Sequence, residues 1–178
     1  LNEAGKEILL VSSGALALGK KSLNFKKNNL KVSEKQAASS VGQVLLINAW
    51  KKAFLKYKKQ CGQILLTHLD AEIRSSAINA RNTIESLLKL NSIPIINEND
   101  SVATQELRYG DNDQLAARVA QITSSDLLII LSDVDGLYTS NPKKNNSASL
   151  IKYIKTISKS IEKASENTSS SIAVGGMR

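Results

Sequence analysis

The segment at residues 98–113, ENDSVATQELRYGDND, concentrates carboxylates in a chain of the opposite overall charge. The whole sequence has 24 Lys and Arg against 16 Asp and Glu, a formal net charge of +8. The acids are Glu98, Asp100, Glu106, Asp111 and Asp113, and the asparagines Asn97, Asn99 and Asn112 lie beside or among them. Because clustered negative charge is costly to bury without a cation, this set favours a site for an ammonium group, a metal ion or a metal-bound phosphate over a surface loop.

The motif GDND at residues 110–113 stands immediately before an apolar helical pattern. Asp111 to Gln114 reads as a D-x-x-Q helix start, and one aspartate would be enough to cap that helix. Two carboxylates and a carboxamide exceed this need, and the positive end of the helix keeps the acids ionised. The motif therefore favours a group that receives an ammonium or a lysine, or that helps to place magnesium.

Small polar residues also end other predicted strands. Ser12, Ser13 and Gly14 follow the apolar run EILLVSS, at a turn into a helix that would suit an anionic carboxylate or phosphate. Simple capping of the helix by Ser13 explains the same residues equally well. Ser132 and Asp133 follow the run DLLIIL, and a glycine pair at 175–176 would let backbone approach a phosphate.

Strands and helices alternate along the chain, which predicts an α/β fold with a mainly parallel sheet. Apolar runs without alternation predict buried strands at 7–13, 62–67, 92–97 and 126–131, and 150–154 is a further candidate. Helices are predicted from Gly14, from the S-x-x-Q box at Ser33, from Asp70 and from Asp111. Ligands bind beyond the carboxyl ends of such strands, so we expect the polar residues there to meet at one edge.

Composition limits the classes of function. With 178 residues, 42% hydrophobic content and a mean hydropathy of -0.17, the chain is typical of one soluble globular domain, and its apolar runs are too short to span a membrane. The single cysteine, Cys61, excludes an intramolecular disulfide and favours the cytoplasm. A Ser-His-Asp hydrolase would have to use the only histidine, His68, with Ser13 as nucleophile. It is disfavoured because the sequence SSGA lacks the G-x-S-x-G motif around the nucleophile. Lysines could attract nucleic acid, but aromatic residues make up only 4% and none lies in a stacking pattern among them.

Taken together, several segments resemble the glutamate 5-kinase family of the amino acid kinase superfamily. They are VSSGALALG, QAASSVGQVLLINAW, GQILLTHLD, NARNTIESLL, IPIINENDSVAT, YGDNDQLAARVA, LSDVDGLYTSNP and VGGM. The resemblance implies a three-layer αβα sandwich and transfer of the ATP γ-phosphoryl group to the side-chain carboxylate of L-glutamate, the first step of proline biosynthesis. It further implies a magnesium requirement, a homo-oligomer and proline as a possible feedback inhibitor.

The same resemblance assigns roles to individual residues. Ser13, Asp100 and Asn112 match glutamate contacts, and Asp111 beside them is expected to hold the substrate amino group. Asp113 matches the catalytic acid that orders phosphate-facing lysines. The nucleotide side is matched by Ser132, Asp133, Val174, Gly175, Gly176, Met177 and Arg178.

The family pattern extends beyond both ends of this sequence, with a lysine in K-x-G-[ST] before it and another in GGMxTK after it. We therefore expect residues 1–178 to form a single amino acid kinase domain without its first strand and C-terminal part, without a PUA domain, and inactive as an isolated polypeptide. Three alternatives remain: a sister kinase acting on acetylglutamate or another acceptor, a basic polyanion-binding module, and a non-catalytic amino-acid sensor.

Overall fold

A computed structural model describes residues 4–27, 29–103, 112–132, 135–142, 145–159 and 161. The chain divides into two compact units, Leu1–Leu128 and Ile129–Arg178. Within its described residues, the first unit contains three strands and five helices: β1 (Leu10–Val11), α1 (Ala15–Ser22), α2 (Val32–Leu55), β2 (Gln60–Leu66), α3 (His68–Glu72), α4 (Arg74–Lys89), β3 (Ser92–Glu98) and α5 (Asn112–Ile122).

The three strands form one parallel sheet in the order β1-β3-β2. Strand β2 pairs with β3 along its whole length, from Gln60 opposite Ser92 to Leu66 opposite Glu98. Strand β1 pairs with β3 only at its two residues, and the Ser12 amide adds a hydrogen bond to the Ile96 carbonyl oxygen at 2.9 Å. Because the strands are parallel, their carboxyl ends share one edge, and the predicted α/β fold with a parallel sheet is confirmed.

Helices cover both faces of this sheet. On one face the core joins strand residues to α4 and α5, through Ile64, Leu66, Ile96, Ala80, Ile84, Leu115 and Val119. Side chains alternate along a strand, so Asn97 points to the face opposite Ile96. There its side chain bonds Gln43 of α2, which places α2 in a third layer. The predicted three-layer αβα arrangement is therefore confirmed for the first unit.

Helices α1 and α2 touch through their backbones at two glycines. A Cβ added to Gly19 would overlap the carbonyl oxygen of Ala38, and one added to Gly42 would overlap the carbonyl oxygen of Ala15. Only a residue without a side chain permits this approach. The contact fixes the distance between α2 and the start of α1 at Ala15, two residues after Ser13.

Two predicted helix starts are corrected by the structure. Helix α2 begins at Val32, and the Glu34 carboxylate accepts the Lys31 amide at 2.8 Å in place of the predicted box at Ser33. A charged acceptor is the stronger partner for an amide at the positive helix end. Helix α3 begins at His68, where Thr67 and Asp70 cap each other, so Asp70 lies inside the first turn.

The strand predicted at 126–131 is wrong. Residues 126–131 join no strand in the described part of the chain, and their side chains are exposed, Leu131 to 93%. The apolar run has a high β propensity. A strand also needs a neighbouring strand to pair with, and the sequence of the run does not specify that neighbour. In the second unit, the candidate strand at 150–154 is reduced to one antiparallel bridge between Tyr138 and Leu150.

Among the residues described here, no helix has both the length and the apolar character needed to cross a membrane.

Candidate functional site at the carboxyl edge of the sheet

Two of the predicted site residues meet although 99 positions separate them in sequence. Ser13 lies in the turn after β1, and Asn112 is the first residue of α5. The Asn112 Nδ2 donates to Ser13 Oγ at 2.8 Å and to Asn97 Oδ1 at 3.0 Å. The sheet edge therefore brings Ser13 of the SSGA turn and Asn112 of the GDND motif together, as the roles that the family resemblance gives these two residues imply.

Asn97, near the end of β3, is the centre of this cluster and is almost fully buried. Its Oδ1 accepts the amide of Glu98 at 2.8 Å as well as Asn112 Nδ2. Its Nδ2 donates to Gln43 Oε1 of α2 at 2.6 Å. We call the four side chains Gln43, Asn97, Asn112 and Ser13 the amide relay. They connect α2, β3, α5 and the turn after β1.

Two buried polar atoms of the amide relay have no hydrogen-bond partner among the described residues. They are Oδ1 of Asn112 and Nε2 of Gln43. A buried polar atom without a partner costs about 1–3 kcal/mol. Asn112 Oδ1 lies beside the exposed Ser13 and can therefore accept a hydrogen bond from a ligand that carries a donor group.

Asp100 follows β3 and is half-buried in a segment tied to neighbouring elements. The Asn99 amide bonds the Leu66 carbonyl oxygen at 2.9 Å, and the Ser101 and Ser40 hydroxyls lie 2.8 Å apart. Burial raises the pKa of Asp100, and the nearby Ser39 hydroxyl opposes that shift. A raised carboxyl pKa indicates that a nearby cation would be favourable here.

The turn that carries Ser13 is held from behind by α2. The indole Nε1 of Trp50 donates to the buried Ser12 Oγ at 2.8 Å, and the Trp50 ring stacks on Phe54 with centroids 5.7 Å apart. Gly14 has φ = 116°, a conformation that glycine adopts easily, and it turns the chain into α1. Ser13 therefore stands at the N-terminal end of an eight-residue helix with a fixed neighbour on its other side.

The other predicted site residues are distributed as follows. Asp113 is exposed in the first turn of α5, next to Asn112 in sequence. Ser132 is exposed and belongs to the second unit. Asp111, Asp133 and residues 174–178 lie outside the described residues. In the described ranges, no group of three His, Cys, Asp or Glu side chains is placed to hold a metal ion.

Gln43 and Trp50 are functional candidates that the sequence reasoning missed. Both lie in the segment QAASSVGQVLLINAW, whose residues received no individual role. A usable signal existed, because Gln36, Ser40, Gln43 and Trp50 follow helical spacing and each makes a polar contact in the structure. A polar stripe on a helix that packs on a sheet indicates a polar site beneath it.

Comparison with known proteins agrees with this geometry. The sequence profile of the amino acid kinase family matches residues 1–178. The chain is 51% identical over 178 residues to the glutamate 5-kinase of Pelagibacter ubique, covering all of this chain and 48% of that protein. The glutamate 5-kinases of Brucella ovis and Brucella abortus are each 51% identical over the same 178 residues, which cover 47% of those proteins. The chain thus spans about half the length of these curated relatives.

Proposed function

The chain belongs to the amino acid kinase family, and we propose that the protein carrying it phosphorylates the side-chain carboxylate of L-glutamate with ATP. The products would be glutamyl 5-phosphate and ADP, in the first step of proline biosynthesis. The observation that carries the proposal is the contact of Asn112 with Ser13 and Asn97 at the carboxyl edge of the sheet. The names and 51% identity of the relatives support the choice of glutamate.

In this proposal an α-amino acid is bound by groups of complementary polarity. We assign the substrate ammonium to the carboxylates of Asp100 and Asp111, and the unsatisfied Oδ1 of Asn112 accepts one of its protons. Ser13 Oγ accepts from Asn112, so its own proton is available to a substrate carboxylate. Burial makes the ionised form of Asp100 less favourable, which raises its pKa. An ammonium group beside Asp100 would offset this desolvation cost.

The reaction needs positioning more than proton transfer. A glutamate side-chain carboxylate is ionised near neutral pH, so it can attack the γ-phosphorus without a base. The new bond is carboxylate oxygen to phosphorus, and the bond from phosphorus to the β–γ bridging oxygen breaks with ADP as leaving group. Catalysis is then alignment together with neutralisation of phosphate charge. We assign Asp113 the role of ordering the cationic groups that face the phosphate.

For the nucleotide we propose Ser132, Asp133 and the segment Val174, Gly175, Gly176, Met177 and Arg178. Magnesium is proposed to enter with the ATP phosphates, since Mg²⁺ commonly binds through substrate phosphates and one or two carboxylates. We assign no individual ligand to the ion.

The remaining parts of the proposal concern the whole protein. We propose that residues 1–178 are part of a single amino acid kinase domain, that the protein is a cytosolic homo-oligomer, and that proline inhibits it through the glutamate site. The 51% identity to glutamate 5-kinases supports this setting, and the single cysteine agrees with a reducing compartment.

The test is trapping of the acyl phosphate with hydroxylamine in the full-length protein. We expect hydroxamate formation that requires ATP, magnesium and L-glutamate together. Asn112→Ala should abolish most of it at low glutamate, whereas Asn82→Ala, a carboxamide loss on the exposed face of α4, should not. Phosphorylation of acetylglutamate but not of glutamate would assign the protein to a sister kinase instead. Tight, salt-dependent RNA binding without any hydroxamate would indicate a polyanion-binding module.

A further inference from the structure

The amide relay contains one side chain, Gln43, that lies on a helix remote in sequence from the motifs that mark the site. Gln43 is in the middle of α2, 54 positions before Asn97. It contacts Asn97, and Asn97 contacts Asn112, which in turn contacts Ser13. Gln43 thus reaches the site only through other side chains.

The direction of every hydrogen bond in the amide relay follows from a single backbone group. The Glu98 amide can only donate, so the atom of Asn97 that faces it at 2.8 Å must be Oδ1. The Nδ2 of Asn97 then faces Gln43 and requires an acceptor there, which fixes Gln43 Oε1 in place. The same reasoning gives Asn112 its orientation, since the atom facing Asn97 Oδ1 must be Nδ2.

These hydrogen-bond directions determine whether Asn112 offers a donor or an acceptor to a ligand. Both protons of Asn112 Nδ2 are used, one on Asn97 and one on Ser13, so Asn112 Oδ1 is left as an acceptor. Had Asn97 been rotated by half a turn, Asn112 would face a donor and would rotate too. The acceptor for the ligand would then be lost. Two contacts oppose that rotation, the Glu98 amide and Gln43 Oε1.

The backbone beside Gln43 is held in place. Its neighbour Gly42 lies against the carbonyl oxygen of Ala15, which leaves no room for a side chain between α2 and α1. Ala15 begins α1 two residues after Ser13. Gln43 and Ser13 are the two ends of the amide relay. Each lies within two residues of the contact between Gly42 and Ala15, so the packing of α1 on α2 restrains the backbone near both ends.

We propose that Gln43 is a positioning residue for amino-acid recognition: its carboxamide oxygen, together with the Glu98 amide, holds Asn97 in the orientation that makes Asn112 Oδ1 an acceptor for the substrate ammonium. This inference rests on the proposed glutamate kinase function. The acceptor oxygen carries the role, and the Nε2 donor of Gln43 does not.

The test compares two substitutions at one position in the full-length protein. Gln43→Met keeps the length of the side chain and removes the acceptor, whereas Gln43→Glu keeps an acceptor oxygen and removes the donor. We expect Gln43→Met to raise the KM for glutamate about tenfold, since that factor matches loss of about one hydrogen bond. The KM for ATP should stay unchanged, and Gln43→Glu should restore a large part of the glutamate affinity. Gln63→Met on the exposed side of β2 is the matched control and should change neither constant.

A double-mutant cycle shows whether Gln43 acts through Asn112. In an Asn112→Ala background, Gln43→Met should add less than a further twofold to the KM for glutamate, because the acceptor it orients is already absent. Additive effects would overturn the inference, as would equal rises in both KM values or a lower melting temperature with both KM values unchanged. If the wild-type protein forms no glutamyl phosphate, the proposed function fails and this inference falls with it. If the wild type is active and Gln43→Met behaves as wild type, the inference alone fails.

Discussion

Asn112 Nδ2 and Ser13 Oγ are 2.8 Å apart, and this one contact joins the start of α5 to the turn after β1. Neither residue is deeply buried, so the contact lies where a ligand can reach it. It also uses the lone pair of the serine and leaves the serine proton for another acceptor. The contact therefore orients a serine hydroxyl that a ligand can reach, in addition to joining two elements of the fold.

Removal of the Asn112 carboxamide should weaken glutamate binding more than nucleotide binding. We expect Asn112→Ala to raise the KM for glutamate at least about tenfold, because a ligand contact and two relay contacts are lost together. Steady-state kinetics with each substrate varied in turn measures the effect. A rise confined to the KM for ATP would show that the site is assigned to the wrong substrate.

Asp100→Asn should stabilise the protein at neutral pH while weakening glutamate binding. Burial raises the pKa of Asp100 from its ordinary value of 3.8, so folding favours the protonated acid, and the ionised acid opposes folding. The stability advantage of the variant should therefore be present above the folded-state pKa and vanish as the pH falls through it towards 3.8. Thermal unfolding of both proteins across this pH range measures the difference.

Glutamate provides the control for that experiment. A bound ammonium should compensate the carboxylate of the wild type, so saturating glutamate should raise the melting temperature of the wild type more than that of Asp100→Asn. An equal rise in both proteins would show that Asp100 does not contact the substrate.

Gly42→Ala should destabilise the protein by at least about 2 kcal/mol, the range expected when a well-packed contact is overfilled. The added methyl group would meet the Ala15 carbonyl oxygen, and a backbone atom yields less easily than a side chain. Gly62→Ala is the control, because the atoms nearest to its new methyl group are the flexible end of Leu87. Equal stability losses in urea unfolding would contradict the packing argument.

Trp50 should report ligand binding through its fluorescence. It is the only tryptophan in the 178 residues, and its indole N–H bonds Ser12, the neighbour of Ser13. We expect glutamate to change its emission, and the change to be absent in Trp50→Phe, which keeps an aromatic ring beside Phe54. That variant should also lose about 1 kcal/mol of stability with the Ser12 hydrogen bond. In Asn112→Ala the titration should shift to higher glutamate concentrations, and an unshifted curve would place the ligand elsewhere.

The sequence predicted the parallel sheet because that sheet depends on local signals, whereas the meeting of Ser13 with Asn112 was implied by the family resemblance. Apolar runs mark β2 and β3, and small polar residues mark where the strands end. Gln43 was not predicted because its role depends on which strand residue lies below the middle of α2, a relationship set by long-range packing. The strand predicted at 126–131 was wrong because that prediction used only the strong local β propensity of the run. Such a propensity does not supply a strand to pair with.

The glycine contact between α1 and α2 also bears on which substrates can fit. Helices that meet backbone to backbone have no side chains between them that could move aside, so the packing of α1 against α2 behind Ser13 is stiff. The segment at 99–103 is held by hydrogen bonds, among them those of Ser101 with Ser40 and of Ala103 with Gln36. An amino acid one methylene longer than glutamate would therefore have to be accommodated by moving that segment, and discrimination by substrate length would appear there first.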